Sequence, residues 1–562
     1  LFFYFVVRFC LLLADFCFLV GFTMLDAFEK EIKDNLQNTF KLDDSAFERF
    51  NIAPAPGHIK NDLSISWPIA SARILKMPPM EIAKKVADGL SSCGNIDSVA
   101  VAPPGFVNIN LKKDFLLNNL NGILSSPDYF KNPDNSKQNI NIEFVSANPT
   151  GPLHLASGSA ATLGDSLIRI LKFLGYRASS EFYVNDMGKQ VDLLGQSLKA
   201  RFFEEDIPEN GYQGDYLKDI SLTLPSDAKT WTDKQFSDFA LKKMIALHRE
   251  DMKGFGVEFD RWFLETELKE DDAIEKVKEE LKNKNLSYEK EGALWFGSLD
   301  ENSSEEDQGR ALIKSDGRNT YFLSDIAYHL NKFKRGFTRL IDIWGADHHG
   351  YIPRMKAAMS ALNKTEGSFE VIIHQLVSLK IGDKIVKMSK RKGEFISLKE
   401  LTADVGKDAC RFFFAMRSPN THLIFDVELA KTKSNENPVF YVQYVHARIC
   451  SIFAKAQEMK FDVNALPDFN KVNLNDKERE LINKIIWLEK VLNNCANELT
   501  PHHLTTYLME LSGLFHSFYD KHKVVDESNP ETTQLRLFIL RGIKFVINEG
   551  LNLIGVSAPE KM

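Results

Sequence analysis

Along the central part of the chain, the spacing of hydrophobic residues changes from that of a strand to that of a helix. The stretch "EFVSANPTGPLHLASGSAATLGDSLIRILKFLGY" covers residues 143–176, and a turn broken by proline and glycine separates its two halves. The second half places its apolar residues on one helical face, and Gly175 follows as a stop signal. The residues of that face are Leu163, Leu167, Ile170, Leu171 and Leu174. A strand followed at once by such a helix predicts the opening unit of a parallel α/β sheet.

A separate α+β pattern precedes this unit, over residues 24–137. Helical spacing occurs around residues 28–36 and 79–90, and the later stretch "IDSVAVAPPGFVNINL" ends in apolar residues that alternate with polar ones. The polar linker "SSPDYFKNPDNSKQ" contains prolines and marks a domain boundary. The pattern therefore predicts an N-terminal α+β module.

The remaining chain divides into a sheet domain and a helical domain. Residues 138–436 are predicted to form the parallel-sheet domain, with a charge-rich, mainly helical insertion over about residues 190–309. Strand-like segments resume after the insertion in "RALIKSD", "TRLIDIWGAD" and "SFEVIIHQLVSL". Residues 437–562 show helix after helix with no strand signal. We therefore predict a multidomain α/β protein with a C-terminal all-α domain.

Composition is compatible with this organisation and narrows the partners. A chain of 562 residues is too long for one compact core, and 44% hydrophobic with 26% charged residues is typical of a soluble globular protein. The formal net charge of -7 indicates that any nucleic acid is held by local clusters of Lys and Arg. The 6 cysteines show no CxxC spacing, so we expect reduced thiols of a cytoplasmic protein and no zinc site.

The first 23 residues, "LFFYFVVRFCLLLADFCFLVGFT", are apolar enough to suggest a signal peptide or a membrane anchor. Arg8 and Asp15 interrupt the run, and Met24 begins an ordinary amphipathic helix. We interpret residues 1–23 as an over-extended gene start without a function, and we expect no membrane partner.

The strand-to-helix turn offers a candidate site for an anion. The phosphate-loop pattern GxxxxGK[ST] is missing from the sequence, and no GxGxxG follows a strand. A helix N-terminus at the carboxyl end of a parallel strand nevertheless attracts anions through its free N–H groups and its dipole. His154 lies at this point and could donate a hydrogen bond to a phosphate oxygen; alternatively, it caps or packs the turn.

A second candidate is the lysine-rich stretch "GDKIVKMSKRKGEFISL". It places Lys384, Lys387, Lys390, Arg391 and Lys392 on a segment bounded by glycines. Such a loop suits a clamp on a polyphosphate, where it would stabilise charge on a leaving pyrophosphate. The alternative is a solvated basic loop.

Taken together, the two stretches resemble the paired signature sequences of class I aminoacyl-tRNA synthetases. Further motifs, in the same order along the chain, are similar to those of the arginyl-tRNA synthetase family. They are "EFVSANPTGPLH", "YVNDMGKQ", "SDGRNTYFLSDIAYHL", "WGADHHGYIPRMKAA", "KMSKRKGEFISL", "VGKDACRFFFAMRS" and "NPVFYVQYVHARI". The resemblance covers residues 24–562, and it implies a Rossmann-like catalytic domain between an N-terminal module that contacts the tRNA elbow and an anticodon-binding helical domain.

This resemblance implies an ATP-dependent ligase that forms arginyl-adenylate and then transfers arginine to the terminal ribose of tRNA. By similarity, His154 contacts the ATP phosphates and Lys390 stabilises the transition state, assisted by Lys387 and Ser389. Magnesium accompanies ATP, although no dedicated set of protein ligands is visible and no prosthetic group is expected. The family characteristically binds tRNA before it activates arginine, and we expect a monomer.

The resemblance also implies residues that hold arginine. A guanidinium is planar and permanently charged, so a selective pocket needs a carboxylate with further acceptors. Tyr321 and Asp325 resemble the guanidinium-recognising pair, and they share one face only if the segment is helical. Glu143 and Asn148 match positions that hold the α-amino and carboxylate ends, and His348 is a further candidate for arginine or the ribose. Alternatively, Asp325 caps a helix.

One position departs from the family pattern. The first signature usually has a second histidine three residues after the first, but this chain has "HLAS", with Ser157 at that position. A serine can donate one hydrogen bond to a phosphate but carries no charge. We therefore expect Ser157 to have a supporting role in ATP binding.

In the helical domain, Tyr441, Tyr444 and Arg448 lie at helical spacing and could stack on unpaired bases of tRNA. The alternative is that these side chains belong to the core. Two other functions also remain open at this stage: a class I enzyme of different specificity, and a catalytically silent tRNA-binding relative. The intact "KMSKR" favours an active enzyme.

Overall fold

The computed structural model describes residues 24–47, 50–56, 59–270, 272–297, 311–386 and 396–562. At its N-terminus, a four-stranded antiparallel sheet of order β1-β2-β4-β3 packs against helices. Its strands are β1 (Ile52–Pro54), β2 (Leu63–Ile65), β3 (Ile96–Ala102) and β4 (Phe106–Leu111). The helices are α1 (Met24–Phe40), α2 (Trp67–Leu75), α3 (Pro79–Leu90) and α4 (Lys113–Ser125). The predicted α+β module is confirmed.

A five-stranded parallel sheet forms the centre of the next domain. Its strands are β5 (Asn139–Glu143), β6 (Arg177–Val184), β7 (Arg261–Leu264), β11 (Arg339–Gly345) and β12 (Phe369–His374). They lie in the order β12-β11-β5-β6-β7, all parallel. The chain winds outward from β5 to β7 and then returns to the other side of β5. The winding direction therefore reverses between β5 and β11, and such a switch point creates a crevice at the carboxyl ends of the strands.

Helix α5 (Leu155–Phe173) follows β5, as the hydrophobic spacing predicts. Its apolar face is buried, and Gly175 ends the unit with a φ of 93° that glycine adopts without strain. Gly164 of α5 lies directly against Phe144, the residue after β5, so that a Cβ atom on Gly164 would be 2.2 Å from the phenyl ring. This close approach positions the N-terminus of α5 relative to the sheet.

The structure differs from the sequence-based expectation at two strands. Strand β7 belongs to the parallel sheet although it lies within the range assigned to the insertion; its four residues are too few for periodicity to reveal. Strand β10 (Ala311–Ile313) does not join the parallel sheet, because it pairs antiparallel with β9 (Ala293–Phe296), which pairs with β8 (Ser287–Lys290). The helices of this region are α6 (Lys189–Phe203), α7 (Tyr216–Ser221), α8 (Asp233–Gly254), α9 (Glu267–Glu270) and α10 (Ala273–Asn283).

After β10 the chain completes the parallel sheet and adds a small third layer. Helix α11 (Tyr321–Lys334) precedes β11, and α12 (Ile352–Ala361) precedes β12. The run "SFEVIIHQLVSL" divides between β12 and β13, because Gln375 donates its N–H to the carbonyl of Pro419 and the chain turns into another sheet. That sheet has the order β14-β13-β15. Its strands are β13 (Val377–Ile381), β14 (Lys384–Val386) and β15 (Leu423–Asp426). The helices of this part of the chain are α13 (Leu398–Val405), α14 (Lys407–Ala415) and α15 (Val427–Lys431).

Every residue from 437 to 562 is described, and this part contains helices and no strands, which confirms the predicted all-α domain. The helices are α16 (Pro438–Glu458), α17 (Asp476–Ile486), α18 (Leu488–Glu498), α19 (His502–Lys521) and α20 (Pro530–Leu553). The N-terminal module packs on this domain through ionic contacts. Buried Asp62 accepts hydrogen bonds from Arg479 and Asn483 of α17, and Lys490 of α18 lies 2.7 Å from Glu29 of α1.

Short 3-10 turns connect several elements, at Asp44–Phe47, Pro133–Lys137, Ser226–Thr230 and Ala346–Tyr351. Within the described ranges, none of the helices combines the length and the apolar character that a membrane crossing requires. The interpretation of residues 1–23 concerns a segment outside the described residues.

The Gly164 contact predicts a stability effect. Gly164→Ala places a methyl group into the space of the Phe144 ring, and such overpacking typically costs about 1–3 kcal/mol. In Gly254→Ala, by contrast, the Cβ meets nothing within 4 Å. This control in α8 should change the free energy of unfolding by at most about 1 kcal/mol, in the stabilising direction. Thermal and urea unfolding of both variants would measure the difference, and equal effects would contradict the packing argument.

Candidate active site

The loop after β5 forms one wall of the crevice and has a strained backbone. Val145 and Ser146 have φ values of 70° and 38°, in the left-handed region that β-branched residues rarely adopt. The Ser146 hydroxyl donates to Glu143 Oε1 at 2.9 Å and accepts the N–H of Tyr183 at 3.1 Å. These bonds hold the loop in place, and they fix the carboxylate of Glu143 at the end of β5.

His154 occupies the N-cap position of α5 with an extended backbone. Within the described structure its side chain makes no capping hydrogen bond, so the capping alternative does not apply. Its backbone forms a β-bridge with Ser397, and Leu398 donates its N–H to the carbonyl of Leu153 at 2.9 Å. The chain that follows the lysine-rich stretch is therefore attached to the histidine turn.

The lysine-rich stretch itself falls largely outside the described residues. The candidates Lys387, Ser389 and Lys390 belong to residues 387–395, so their roles stay predictions. Ser157 is the third residue of α5 and is buried. Its supporting role in ATP binding also stays a prediction.

Asp325 lies on α11, near enough to Glu143 at the end of β5 for their charges to interact. Thr320 caps this helix, since its side chain accepts the N–H of Leu323, and the capping alternative for Asp325 is therefore wrong. Tyr351 donates its hydroxyl to Asp325 Oδ2 at 2.6 Å. Burial raises the pKa of Asp325 to about 6, against the lowering effect of the Tyr351 hydrogen bond.

A second carboxylate of this pocket was not among the sequence-based candidates. Glu265 directly follows β7, and burial together with the charges of Asp186 and Asp325 raises its pKa to about 7. Asp186 follows β6 and accepts hydrogen bonds from the N–H and the hydroxyl of Thr266. None of these three carboxylates forms a salt bridge with any residue of the described ranges. The pocket therefore groups three acidic side chains without a salt-bridge partner among the described residues.

The missed residues had a recognisable sequence signal. Glu143 ends β5, Asp186 follows β6, and Glu265 follows β7, so acidic residues mark the carboxyl ends of three neighbouring parallel strands. Recognising β7 as a strand would have identified Glu265. Tyr351 gives no such signal, because it reaches Asp325 from 26 positions further along the chain.

The other arginine-binding candidates lie at the rim of the crevice. Tyr321 is the first residue of α11 and is 76% exposed, and the hydroxyl that contacts Asp325 is that of Tyr351. His348 is exposed within the turn after β11, and Asn148 is exposed in the loop after β5. The structure thus brings Glu143 and Asp325 close enough for their charges to interact, whereas the rim residues contribute no contact to that pair.

The tRNA-binding candidates cluster on one side of the helical domain. The rings of Tyr441 and Tyr444 lie 4.8 and 6.0 Å from the ring of His516 on α19. The guanidinium of Arg448 lies over the ring of Tyr519, 4.9 Å from its centre. All five side chains are partly exposed, so this aromatic cluster offers faces on which bases can stack.

Comparisons with known families agree with this architecture. The arginyl tRNA synthetase N terminal domain matches residues 26–111, and the class I (R) tRNA synthetase catalytic domain matches residues 119–251 and 231–414. The DALR anticodon binding domain matches residues 442–562. The three matches follow the N-terminal module, the parallel-sheet domain and the helical domain.

Relatives with curated names cover nearly the whole chain. An arginine–tRNA ligase of Elusimicrobium minutum is 50% identical over 541 residues, which are 96% of this chain and 100% of that protein. An arginine–tRNA ligase of Thermotoga maritima is 41% identical over 529 residues, which are 91% of this chain and 96% of that protein.

Solved structures share the fold. A putative arginyl-tRNA synthetase from Campylobacter jejuni has a TM-score of 0.71 at 35% identity, covering 80% of this chain and 100% of that chain. The arginyl-tRNA synthetase of Thermus thermophilus has a TM-score of 0.75 at 19% identity, covering 94% of this chain and 99% of that chain. The predicted Rossmann-like architecture with N-terminal and helical C-terminal domains is confirmed, and the chain belongs to the arginyl-tRNA synthetase family.

Proposed function

We propose that the crevice between β5 and β11 activates L-arginine with ATP and transfers it to the 3′-terminal ribose of tRNA. The observation that carries this proposal is the pair of carboxylates without a cation, Asp325 and Glu265, at the carboxyl edge of the parallel sheet. Family membership makes the chain an ATP-dependent aminoacyl-tRNA ligase. The carboxylate pair supports arginine as its amino acid.

The guanidinium of arginine would enter between the two carboxylates. Its planar fork donates several parallel hydrogen bonds, and a carboxylate accepts them in pairs. Tyr351 holds one oxygen of Asp325, which orients the carboxylate toward the crevice. A neutral analogue would leave buried negative charge unpaired, and this penalty excludes it. Tyr321 and His348 would contribute from the rim once arginine is bound.

The opposite end of arginine would lie near the end of β5. Glu143 would accept hydrogen bonds from the α-ammonium group, and Asn148 would donate to the carboxylate. This arrangement directs the arginine carboxylate toward the N-terminus of α5. There it would attack the α-phosphorus of ATP, with cleavage of the bond to the β-phosphate and release of pyrophosphate.

The charge that develops in this step requires positive groups. His154 and the N-terminus of α5 would hold phosphate oxygens, with Ser157 in support. Lys390 would stabilise the transition state, and Lys387 and Ser389 would assist it. Magnesium would arrive with ATP as the counter-ion of the phosphates. Among the described residues, no group of acidic, histidine or cysteine side chains is arranged to hold a metal ion.

We further propose the tRNA contacts and the working state of the protein. Residues 437–562 would bind the anticodon through Tyr441, Tyr444 and Arg448, and residues 24–137 would contact the elbow. The catalytic unit would span residues 138–436, and tRNA would bind before arginine is activated. The protein would act as a monomer in the cytoplasm, where its described cysteines stay reduced; all of these are free thiols.

The direct test is pyrophosphate exchange with protein that begins at Met24, measured with and without tRNA. We expect exchange that depends on arginine and that lysine and citrulline do not replace. Failure to exchange even with cognate tRNA would refute the enzyme, whereas exchange without tRNA would refute only the tRNA requirement. Equal exchange with another amino acid would refute the specificity.

Asp325→Asn should lower kcat/KM for arginine by about 100-fold, since truncating one partner of a desolvated charge pair costs about 2–5 kcal/mol. Asp219→Asn is a matched control, because Asp219 is exposed on α7 and is not one of the acidic residues at the carboxyl ends of the parallel strands. The control should exchange pyrophosphate like the unmodified protein. Loss of activity in both variants, or in neither, would contradict the proposed guanidinium site.

Arginine binding should weaken as the pH falls from about 8 to about 6. Glu265 with a pKa of about 7 and Asp325 with a pKa of about 6 then become protonated and lose the charge that attracts the guanidinium. Conversely, a bound guanidinium favours the ionised carboxylates, so arginine binding releases protons in this range.

The dependence of kcat/KM on pH and calorimetry in buffers of different ionisation enthalpy would measure both effects. Glu265→Gln should remove the inflection near pH 7 and leave the one near pH 6. An unchanged affinity between pH 8 and pH 6 would contradict the assignment.

A further inference from the structure

Lys332 of α11 is a fully buried cation beneath the crevice. Its ammonium donates to Glu143 Oε2 at 2.7 Å and to Asp342 Oδ1 at 3.1 Å, and it lies 4.4 Å from the centre of the Tyr328 ring. Burial would lower the pKa of Lys332, but the charges of Asp342 and Glu143 outweigh burial and raise it above the usual value. Lys332 therefore carries a permanent charge between two strands of the sheet.

The contacts of Asp342 extend this arrangement to the guanidinium end of the pocket. The second oxygen of Asp342 lies 2.7 Å from His329 Nε2, and His329 Nδ1 lies 2.7 Å from the backbone carbonyl of Asp325. A carbonyl accepts only from an N–H, so Nδ1 of His329 carries a proton, and the facing carboxylate oxygen of Asp342 favours a second proton on Nε2. Burial by itself would lower the pKa of the His329 ring, but the charge of Asp342 outweighs burial. The pKa of His329 is therefore raised above its usual value. A continuous buried chain thus connects Asp325 with Glu143.

Glu143 retains capacity for a further partner. Its carboxylate has about four lone-pair positions, of which Lys332 and Ser146 use one on each oxygen. The side chain is 11% exposed, so it is not fully enclosed by the residues around it. The hydrogen bond from the ammonium of Lys332 fixes how this carboxylate is turned.

We propose that Lys332 is a positioning residue for the α-ammonium group of arginine, because its hydrogen bond holds the carboxylate of Glu143 in the orientation that receives this group. The inference rests on the proposed function, in which Glu143 binds the amino end of the substrate. Lys332 does not touch arginine itself. It acts through Glu143, whose orientation at the end of β5 it fixes.

A purely structural ion pair is the alternative, in which Lys332 only joins β5, β11 and α11. Arg335 provides a matched control for this alternative on the same helix. Its guanidinium makes two hydrogen bonds to buried Glu181 of β6, at 2.7 and 2.8 Å, but none to Glu143. Replacing either cation removes a buried ion pair, whereas only Lys332 contacts the residue assigned to the α-ammonium group.

The experiment compares two ligands that differ only in the α-amino group: arginine and 5-guanidinopentanoate. Calorimetric binding in the presence of tRNA gives the ratio of their dissociation constants. In Lys332→Met the preference for arginine over 5-guanidinopentanoate should shrink by roughly 10- to 100-fold. The reason is that only arginine has an α-ammonium group, and its charge-assisted hydrogen bond to Glu143 is lost. In Arg335→Met the melting temperature should fall while the ratio stays within about twofold of the unmodified protein.

The outcomes separate the hypotheses. An unchanged ratio in Lys332→Met would overturn the positioning role, even if that variant melts earlier. Should Lys332→Met fail to fold, Lys332→Gln keeps a hydrogen-bond donor without the charge, and the same loss of discrimination is expected in it. If the unmodified protein shows no preference for arginine over 5-guanidinopentanoate, the assignment of Glu143 in the proposed function fails instead.

Discussion

Carboxylates crowded at the end of a sheet repel one another unless cations compensate them, and this constraint organises the centre of the molecule. Lys332 compensates Glu143 and Asp342, which end β5 and lie within β11, the strands that flank the switch point. Asp325 and Glu265 have no such partner among the described residues. Carboxylates paired with Lys332 therefore join the strands and the helix, whereas those without a cation form the pocket that we propose for the guanidinium of arginine.

The same use of buried cations connects the domains. Arg411 of α14 is fully buried and donates to Asp165 of α5 and to the carbonyl of Ile554, just beyond α20. Gly555 passes so close to this guanidinium that a Cβ atom there would collide with it. The end of the helical domain is thus attached to the helix whose N-terminus carries His154. Separating a buried arginine from its partners would leave its charge unpaired. The parallel-sheet domain and the helical domain are therefore held in one defined arrangement.

Sequence reasoning succeeded where structure is local. The amphipathic period of α5, the alternation in β4 and the succession of helices after residue 437 each follow from neighbours within a few positions. It failed at β7, a strand of four residues, and for β10 it identified the strand but not the sheet, since pairing partners are set by tertiary packing. The candidate site shows the same division: Asp325 was identified by its motif, whereas Glu265 and Tyr351 were not.

The sequence by itself determined the order of the domains, the family and most of the chemical groups that a ligase for arginine needs. Only the tertiary structure decided which carboxylates are paired with cations and which stay available. Lys332 and Glu143 are 189 positions apart, and no spacing rule relates them. The physical reason is that the charge state of a buried group depends on distances in space and on burial, and both are set only when the strands and helices have packed.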